Sequence, residues 1–370
     1  MRETTITLQG YGPASFHTLT RFEFGAPGAR PHVHVQGGLH ADEGPGMLAA
    51  RMLADRLALL EREGRISGQV TVVPAANPIG LAQFVHGDQT GRFDLHDGRN
   101  FNRDYPDLTD DVARAVAPIL GPDAEANAAM IRHALVAALE TRAPTCPSDR
   151  LRAELMRMAV TADVVLDLHC DGEAEVHLYT QPASLAQVAP LAALLACRAV
   201  LVEEVSGGNP FDEALARPWV DLARRFPDVP IPQGCATCTV ELRGRSDVSR
   251  DLGARDAEAI LQYLMQLGAV QGSATLPDPL CEPTPLAGSE ALVAPVAGLL
   301  SYPVGLGSVV RAGDTVAEIT DLATGGVTPV RATTTGVFYA RPATRIAEPN
   351  KRLGKVAGRT PFRAGPLLSP

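Results

Sequence analysis

Lysine is almost missing from this chain. Of 33 basic residues only Lys351 and Lys355 are lysines, both near the C-terminus, so chemistry that needs a lysine must use one of these two. Positive charge is in deficit overall, with 42 acidic residues and a formal charge of −9. That balance argues against a nucleic-acid partner, which calls for a basic face. No apolar run approaches the length of a membrane span, and no apolar leader follows "MRETTITLQG", so no membrane association is expected. Six cysteines scattered over 370 residues are too sparse for a disulfide framework, and a reducing cytoplasm is the expected location. Cys235 and Cys238 form one C-x-x-C in "QGCATCTVEL". Without a second such pair it reads as two buried structural thiols.

What remains is an ordinary globular composition, 45% hydrophobic and 20% charged, long enough for one large core and a smaller second unit. "RPHVHVQGGLH" reads as a buried strand ending in a glycine turn. "PGMLAARMLADRLALLERE" follows as a helix, with Met52, Leu53, Leu57 and Leu60 sharing a face and Pro45 in its first turn. "GQVTVVPAANP" is a second strand, completing a β-α-β unit. Helical patterns occupy 124–142 and 148–160. "ADVVLDLHC" and "CTVELRG" are further buried strands, with "ASLAQVAPLAALLAC" and "GARDAEAILQYLMQL" as helices. The expected class is α/β with a mixed sheet flanked by helices, over residues 1–271. Proline and glycine interrupt periodicity at 272–290, a predicted linker. Short apolar runs punctuated by glycine make 291–370 a small β domain. It carries an internal echo, Ala294 and Gly298 in "APVAG" against Ala332 and Gly336 in "ATTTG", as a two-fold sandwich of the lipoyl or biotinyl type would.

The chemistry begins in "HVQGGLHADEGPG", where His40 and Glu43 lie three residues apart in a glycine-rich turn. His169 ends the apolar strand "VVLDLHCD", at the sheet edge where α/β proteins place ligand sites. Two histidines and one carboxylate at strand ends form a donor set suited to zinc, with a fourth position left for water. In "DGRNFNRDYP", Arg99, Asn102 and Arg103 suit capture of a carboxylate and stabilisation of a developing oxyanion. Glu241 sits between Val240 and Leu242, where a buried carboxylate needs a role; a general base beside an activated water is one. Asp167, two residues from His169, shares its face of the strand and is placed to orient a ligand, meet a substrate amine or make a structural hydrogen bond.

H-x-x-E, N-R, D-L-H and T-V-E-L in this order resemble the succinylglutamate desuccinylase/aspartoacylase family of the zinc carboxypeptidase superfamily, over essentially the whole chain. The resemblance implies an α/β hydrolase domain with one zinc ion per chain on His40, Glu43 and His169. Asn102 and Arg103 would hold the substrate carboxylate, and Glu241 would activate the water. The expected reaction is hydrolysis of the amide of an N-acyl amino acid, by a chain able to self-associate. The alternative is a metallocarboxypeptidase acting on short peptides. The family's carbonyl-polarising arginine has two candidates, Arg92 and Arg99. A tyrosine from the second domain has two as well, Tyr302 and Tyr339. The segment 104–160 reads as added helical structure.

Two rivals fail on residue supply. His32 and His34 give an H-x-H, but a barrel-type amidohydrolase needs more histidines and a late aspartate. After His169 only His177 remains, so His32 and His34 read as core or supporting residues. A lipoyl or biotinyl carrier needs a lysine in the hairpin between its halves. Here that hairpin is "TDLATGGVTP" and has none.

Overall fold

The structure, a computed structural model, describes residues 1–365 and 367; residues 366 and 368–370 of the expected β domain lie outside the described residues. Strands β1 (Arg2–Gln9) and β2 (Phe16–Phe24) form an antiparallel hairpin ahead of the first predicted strand. Then come β3 (His32–Gly37), α1 (Gly44–Arg62) and β4 (Gln69–Val73), with β3 and β4 parallel as a β-α-β unit requires. A one-turn helix α2 (Pro78–Leu81) and a small hairpin of β5 (Phe84–Val85) and β6 (Asp88–Gln89) follow. Three helices, α3 (Thr109–Val116), α4 (Ala124–Glu140) and α5 (Pro147–Ala159), make up the added segment. The sheet resumes with β7 (Val164–Asp171), β8 (Glu173–Ala174) and β9 (His177–Thr180). Helix α6 (Pro182–Leu194), β10 (Ala199–Val202), α7 (Phe211–Arg225), β11 (Ala236–Gly244) and α8 (Arg250–Gln266) complete the larger unit.

The main sheet has nine strands in the order β1-β2-β4-β3-β7-β11-β9-β10-β12. Its last member, β12 (Pro283–Pro285), lies inside the predicted linker. That stretch is therefore not only a connection, because it pairs in parallel with β10 and extends the sheet. Backbone pairing at a sheet edge tolerates proline, which is why the proline-rich pattern conceals a strand.

Period-two alternation on the three central strands decides where the chemistry sits. Val33 and Val35, Val164, Leu166 and Leu168, and Cys238, Val240 and Leu242 all join one core, together with Leu53 and Leu57 of α1 and Ile260 and Leu264 of α8. The alternate residues of the same strands are polar: His34 and Gln36, Asp167 and His169, Thr239 and Glu241. They face the opposite side, where α3, α4, α5 and α7 supply a second core around Leu135, Leu155, Phe211 and Trp219. Register then aligns them, with Gln36 beside Asp167, Thr239 beside Asp167, and Glu241 beside His169.

Beyond β12 the strands are β13 (Ser289–Val293), β14 (Gly298–Ser301), β15 (Val309–Val310), β16 (Thr315–Thr320), β17 (Val327–Arg331), β18 (Gly336–Arg341), β19 (Ile346–Ala347) and β20 (Arg352–Gly358). They form two four-membered antiparallel paths, β13-β20-β18-β15 and β17-β16-β14-β19, around Leu300, Val316, Ile319, Phe338 and Val356. Gly298 and Gly336, the two glycines of the sequence echo, open β14 and β18. This unit is joined to the larger one by backbone, since β8 pairs with β18. Side chains add to the join, with Glu173 receiving Arg341 and Arg345 at 2.6 Å each.

The start of α1 presses on the site. A Cβ at Gly46 would lie 2.5 Å from the carbonyl oxygen of Leu168 and 2.8 Å from its Cβ, neither able to swing aside. Gly46→Ala is expected to cost about 2 kcal/mol of stability by overpacking, whereas Gly121→Ala, with nothing within 4 Å, serves as the unstrained control. Urea midpoints of the two variants check this. Equal midpoints would contradict the close packing of α1 on β7.

Candidate active site

His40 and Glu43 leave the glycine turn after β3, and His169 stands near the end of the adjacent β7. Glu43 lies between the two rings. Its Oε1 is 2.9 Å from His40 Nδ1 and its Oε2 is 2.7 Å from His169 Nδ1. One donor atom from each residue falls within 4.8 Å of the others, and all three side chains are buried. Among the described residues no other group of histidines, cysteines and carboxylates meets this condition; Cys235 and Cys238 are simply buried free thiols.

The far side of each ring is also held. His40 Nε2 is 2.9 Å from Asn100 Oδ1, an oxygen that also accepts from the Asn102 N–H at 2.8 Å. His169 Nε2 is 2.9 Å from Asp167 Oδ2, while Gln36 Nε2 donates to Asp167 Oδ1 at 3.0 Å. Behind Gln36 its Oε1 meets His34 Nε2 at 3.2 Å, so His34 supports this network from behind. With the Asn100 and Asp167 oxygens facing Nε2 of the two rings, each Nδ1 is turned toward the Glu43 carboxylate. Two imidazole nitrogens and a carboxylate converging in this way could hold a cation, and nitrogen with oxygen donors suits zinc.

The electrostatics agree. Burial opposes ionisation of Glu43, but His40 and His169 outweigh it and hold the carboxyl well below its usual range. Burial likewise opposes a charge on His169, yet Asp167 and Glu43 raise it well above the ordinary histidine value. Between two carboxylates a ring that holds a proton stands in for a metal cation. Glu241 responds oppositely: burial, reinforced by the Glu43 charge, pushes it up to about 8. Its Oε2 is buried with no hydrogen-bond partner.

A cavity of about 420 Å³ opens over this group, within the range of small-molecule sites. His40, His169, Glu241, Arg92, Asn102 and Arg103 all line it. Arg92 Nη1 reaches within 3.2 Å of His40 Nδ1 and 3.5 Å of Glu43 Oε1. Asn102 is partly committed to structure, its Oδ1 accepting from the Phe211 N–H at 2.9 Å. Arg99 has to be removed from the expected set. Its guanidinium turns away to Asp97 at 2.6 Å and Asp149 at 2.9 Å, with Cys146 and Ser148 as further partners. The carboxylate of α5 captures it, and that partner is not visible from the loop alone.

Neither tyrosine candidate lines the cavity. Tyr302 donates to the Leu353 carbonyl at 2.7 Å, and the Tyr339 hydroxyl pairs with Ser289 Oγ at 2.9 Å. Tyr179 of β9 lines it instead, 3.4 Å from Lys355 Nζ. Lys355, from β20, pairs with Asp171, and that pair brings a half-buried lysine of the second unit to the cavity wall. The scarcity of lysine was the signal that could have marked it. Asn100 was legible too, two residues before Asn102 in the same loop.

Asp167→Asn tests the support. The amide removes the charged acceptor that fixes the His169 ring, and zinc affinity is expected to fall about 10–100-fold. Competition against a chromogenic chelator measures it. Unchanged affinity would show that Asp167 does not orient the ring.

The comparisons with known proteins fit this geometry. Residues 29–143 match the model of the succinylglutamate desuccinylase/aspartoacylase catalytic domain. A solved structure assigned to that family, from Shewanella amazonensis SB2B, is 26% identical with a TM-score of 0.86, covering 96% of this chain and 98% of its own. An ectoine utilization protein from Ruegeria pomeroyi shares the fold, at 18% identity and a TM-score of 0.66 over 96% of this chain and 93% of its own. No curated protein matches the chain by sequence. Residues 29–143 thus match the succinylglutamate desuccinylase/aspartoacylase catalytic domain, and over nearly its whole length the chain is similar to a structure assigned to that family.

Proposed function

We propose that the protein is a zinc-dependent deacylase that hydrolyses the amide bond of an N-acyl amino acid. The observation that carries this reading is the convergence of two imidazole Nδ1 atoms on the Glu43 carboxylate, with Glu241 beside them in strand register. Zinc held by His40, Glu43 and His169 would lower the pKa of water and stabilise negative charge on oxygen.

The protein's own groups supply the rest. Glu241 takes a proton from the attacking water and returns it to the leaving amine. Its raised proton affinity in the cavity suits both halves of that task. Arg92 faces the place where the carbonyl oxygen gains charge. Asn102 and Arg103 hold the substrate carboxylate from the cavity wall. On this reading the chain divides into a hydrolase unit, 1–271, and a β unit, 291–370, of the lipoyl-sandwich kind. The latter carries Lys355 to the cavity but offers no carrier lysine in its hairpin. Among the described residues no helix is long and apolar enough to cross a membrane.

The test is metal content and hydrolysis measured together, on a panel of N-acyl amino acids and C-terminal peptides. One zinc per chain with release of free amino acid from N-acyl substrates is expected; cleavage of peptides alone would favour the carboxypeptidase. Glu241→Gln should keep its zinc and lose about 10²–10⁴-fold in kcat. Arg92→Met should lose about 10²–10³-fold, while Arg99→Met should stay within about threefold because its guanidinium points elsewhere. Equal losses from Arg92→Met and Arg99→Met would contradict the assignment. Glu241 must be ionised to accept the proton, so kcat/KM should fall as pH drops below its pKa. A bound cation lowers that pKa from the metal-free value of about 8.

A further inference from the structure

The loop that carries Asn100 and Asn102 belongs to no helix or strand, yet it supplies the oxygen that faces His40. Within it Asn100 to Arg103 form one turn, closed by the Arg103 N–H on the Asn100 carbonyl at 3.3 Å, longer than a usual hydrogen bond. The Asn100 side chain accepts from the Asn102 N–H at 2.8 Å and lies 2.9 Å from His40 Nε2. A turn closed this weakly does not by itself hold a side chain in place against an imidazole.

The missing restraint comes from the added helical segment. Arg152 of α5 is only 4% exposed. Its Nη2 donates to the Asn100 carbonyl at 2.9 Å and its Nε to the Arg103 carbonyl at 3.0 Å. These two N–H groups leave one edge of a planar guanidinium, so a single rigid fork grips both ends of the turn. Nη1 lies 3.4 Å from Asp149 Oδ1, the carboxylate that also holds Arg99. On either side along the helix, Leu151 and Leu155 enter the second core. A cation is costly to bury in that layer. A helix that had only to pack there would carry an apolar side chain.

We propose that Arg152 is a positioning residue for the metal site. It holds the turn at both ends, and through the Asn100 side chain it sets the His40 ring. Arg152 itself does not line the cavity. The added segment then has a task beyond covering the polar face of the sheet. A lysine cannot take over, because an ammonium is a point charge on a flexible stem and presents no fork. The inference rests on the zinc reading of His40, Glu43 and His169, and its test is metal binding, not turnover.

Zinc competition against a chromogenic chelator, on the whole chain, compares the variants. Arg152→Lys should lower zinc affinity about 10-fold, the smaller end of what losing a supporting partner costs. Arg152→Gln, which offers one donor group in place of the fork, should do the same. Met158→Ala removes a buried side chain from the same helix. It should lower the urea midpoint yet leave zinc affinity within about threefold, because it opens a cavity without touching the turn. In an Asn100→Ala background the arm to His40 is gone. There Arg152→Lys should change the affinity by less than about twofold, since effects along one route do not add. Zinc affinity indifferent to both Arg152 variants, an equal loss in Met158→Ala, or the same loss persisting without the Asn100 side chain would overturn the proposal. So would failure of both Arg152 variants to fold, which would make the residue structural alone. Wild-type protein that takes up no zinc would remove the metal site and this inference with it. Normal zinc binding in the wild type and in both variants would remove this inference alone.

Discussion

One buried carboxylate organises the site. Glu43 lies between His40 and His169 with both its oxygens engaged, and its Oε2 also accepts from the Cys170 N–H at 3.1 Å. An ionised carboxylate in such a place is sustained only by positive charge and hydrogen bonds. Two features of the surroundings answer that need. Asn100 and Asp167 take the outer nitrogens of the rings, and the inner nitrogens are left facing Glu43. The support extends through Gln36 to His34, so the ligand geometry is fixed from two strands behind the cavity.

The fold makes this affordable by separating its two faces. On β3, β7 and β11 every second side chain enters an apolar core under α1, α6 and α8, and that core holds the sheet. The alternate positions are then free to be polar without weakening it. Covering them takes a second layer, which the added helices α3 to α5 and α7 supply. The β unit closes another side through β8 and β18 and through the Asp171–Lys355 pair. Burial opposes the charge on Asp171, but Lys355 outweighs it and holds the carboxyl at about 2. That contribution to the join is present above the ordinary value of 3.8 and is lost as pH falls toward about 2.

Much of this was written locally. The strands around His40, His169 and Glu241 announce themselves as apolar runs, and helices α1, α4, α5, α6 and α8 by their periodicity. Placing a charged or polar residue in a buried strand is a local event, so Glu241 and Asp167 stood out. What was hidden depends on partners far along the chain. Arg99 carries the right chemistry for a site, and Asp149 on α5, together with Asp97 in its own loop, turns it aside. Asp212 and Glu213 look like ordinary first-turn acids until burial shows them on the cavity wall. Strand β12 is unreadable from a proline-rich sequence because its partner, β10, lies some 80 residues earlier.

X-ray absorption at the zinc edge, on protein supplied with one equivalent of zinc, tests the central claim most directly. The account predicts a first shell of nitrogen and oxygen only, with outer-shell scattering from two imidazoles and none from sulfur. A sulfur shell, which Cys235 and Cys238 could provide, or a zinc ion without imidazole scattering would contradict it.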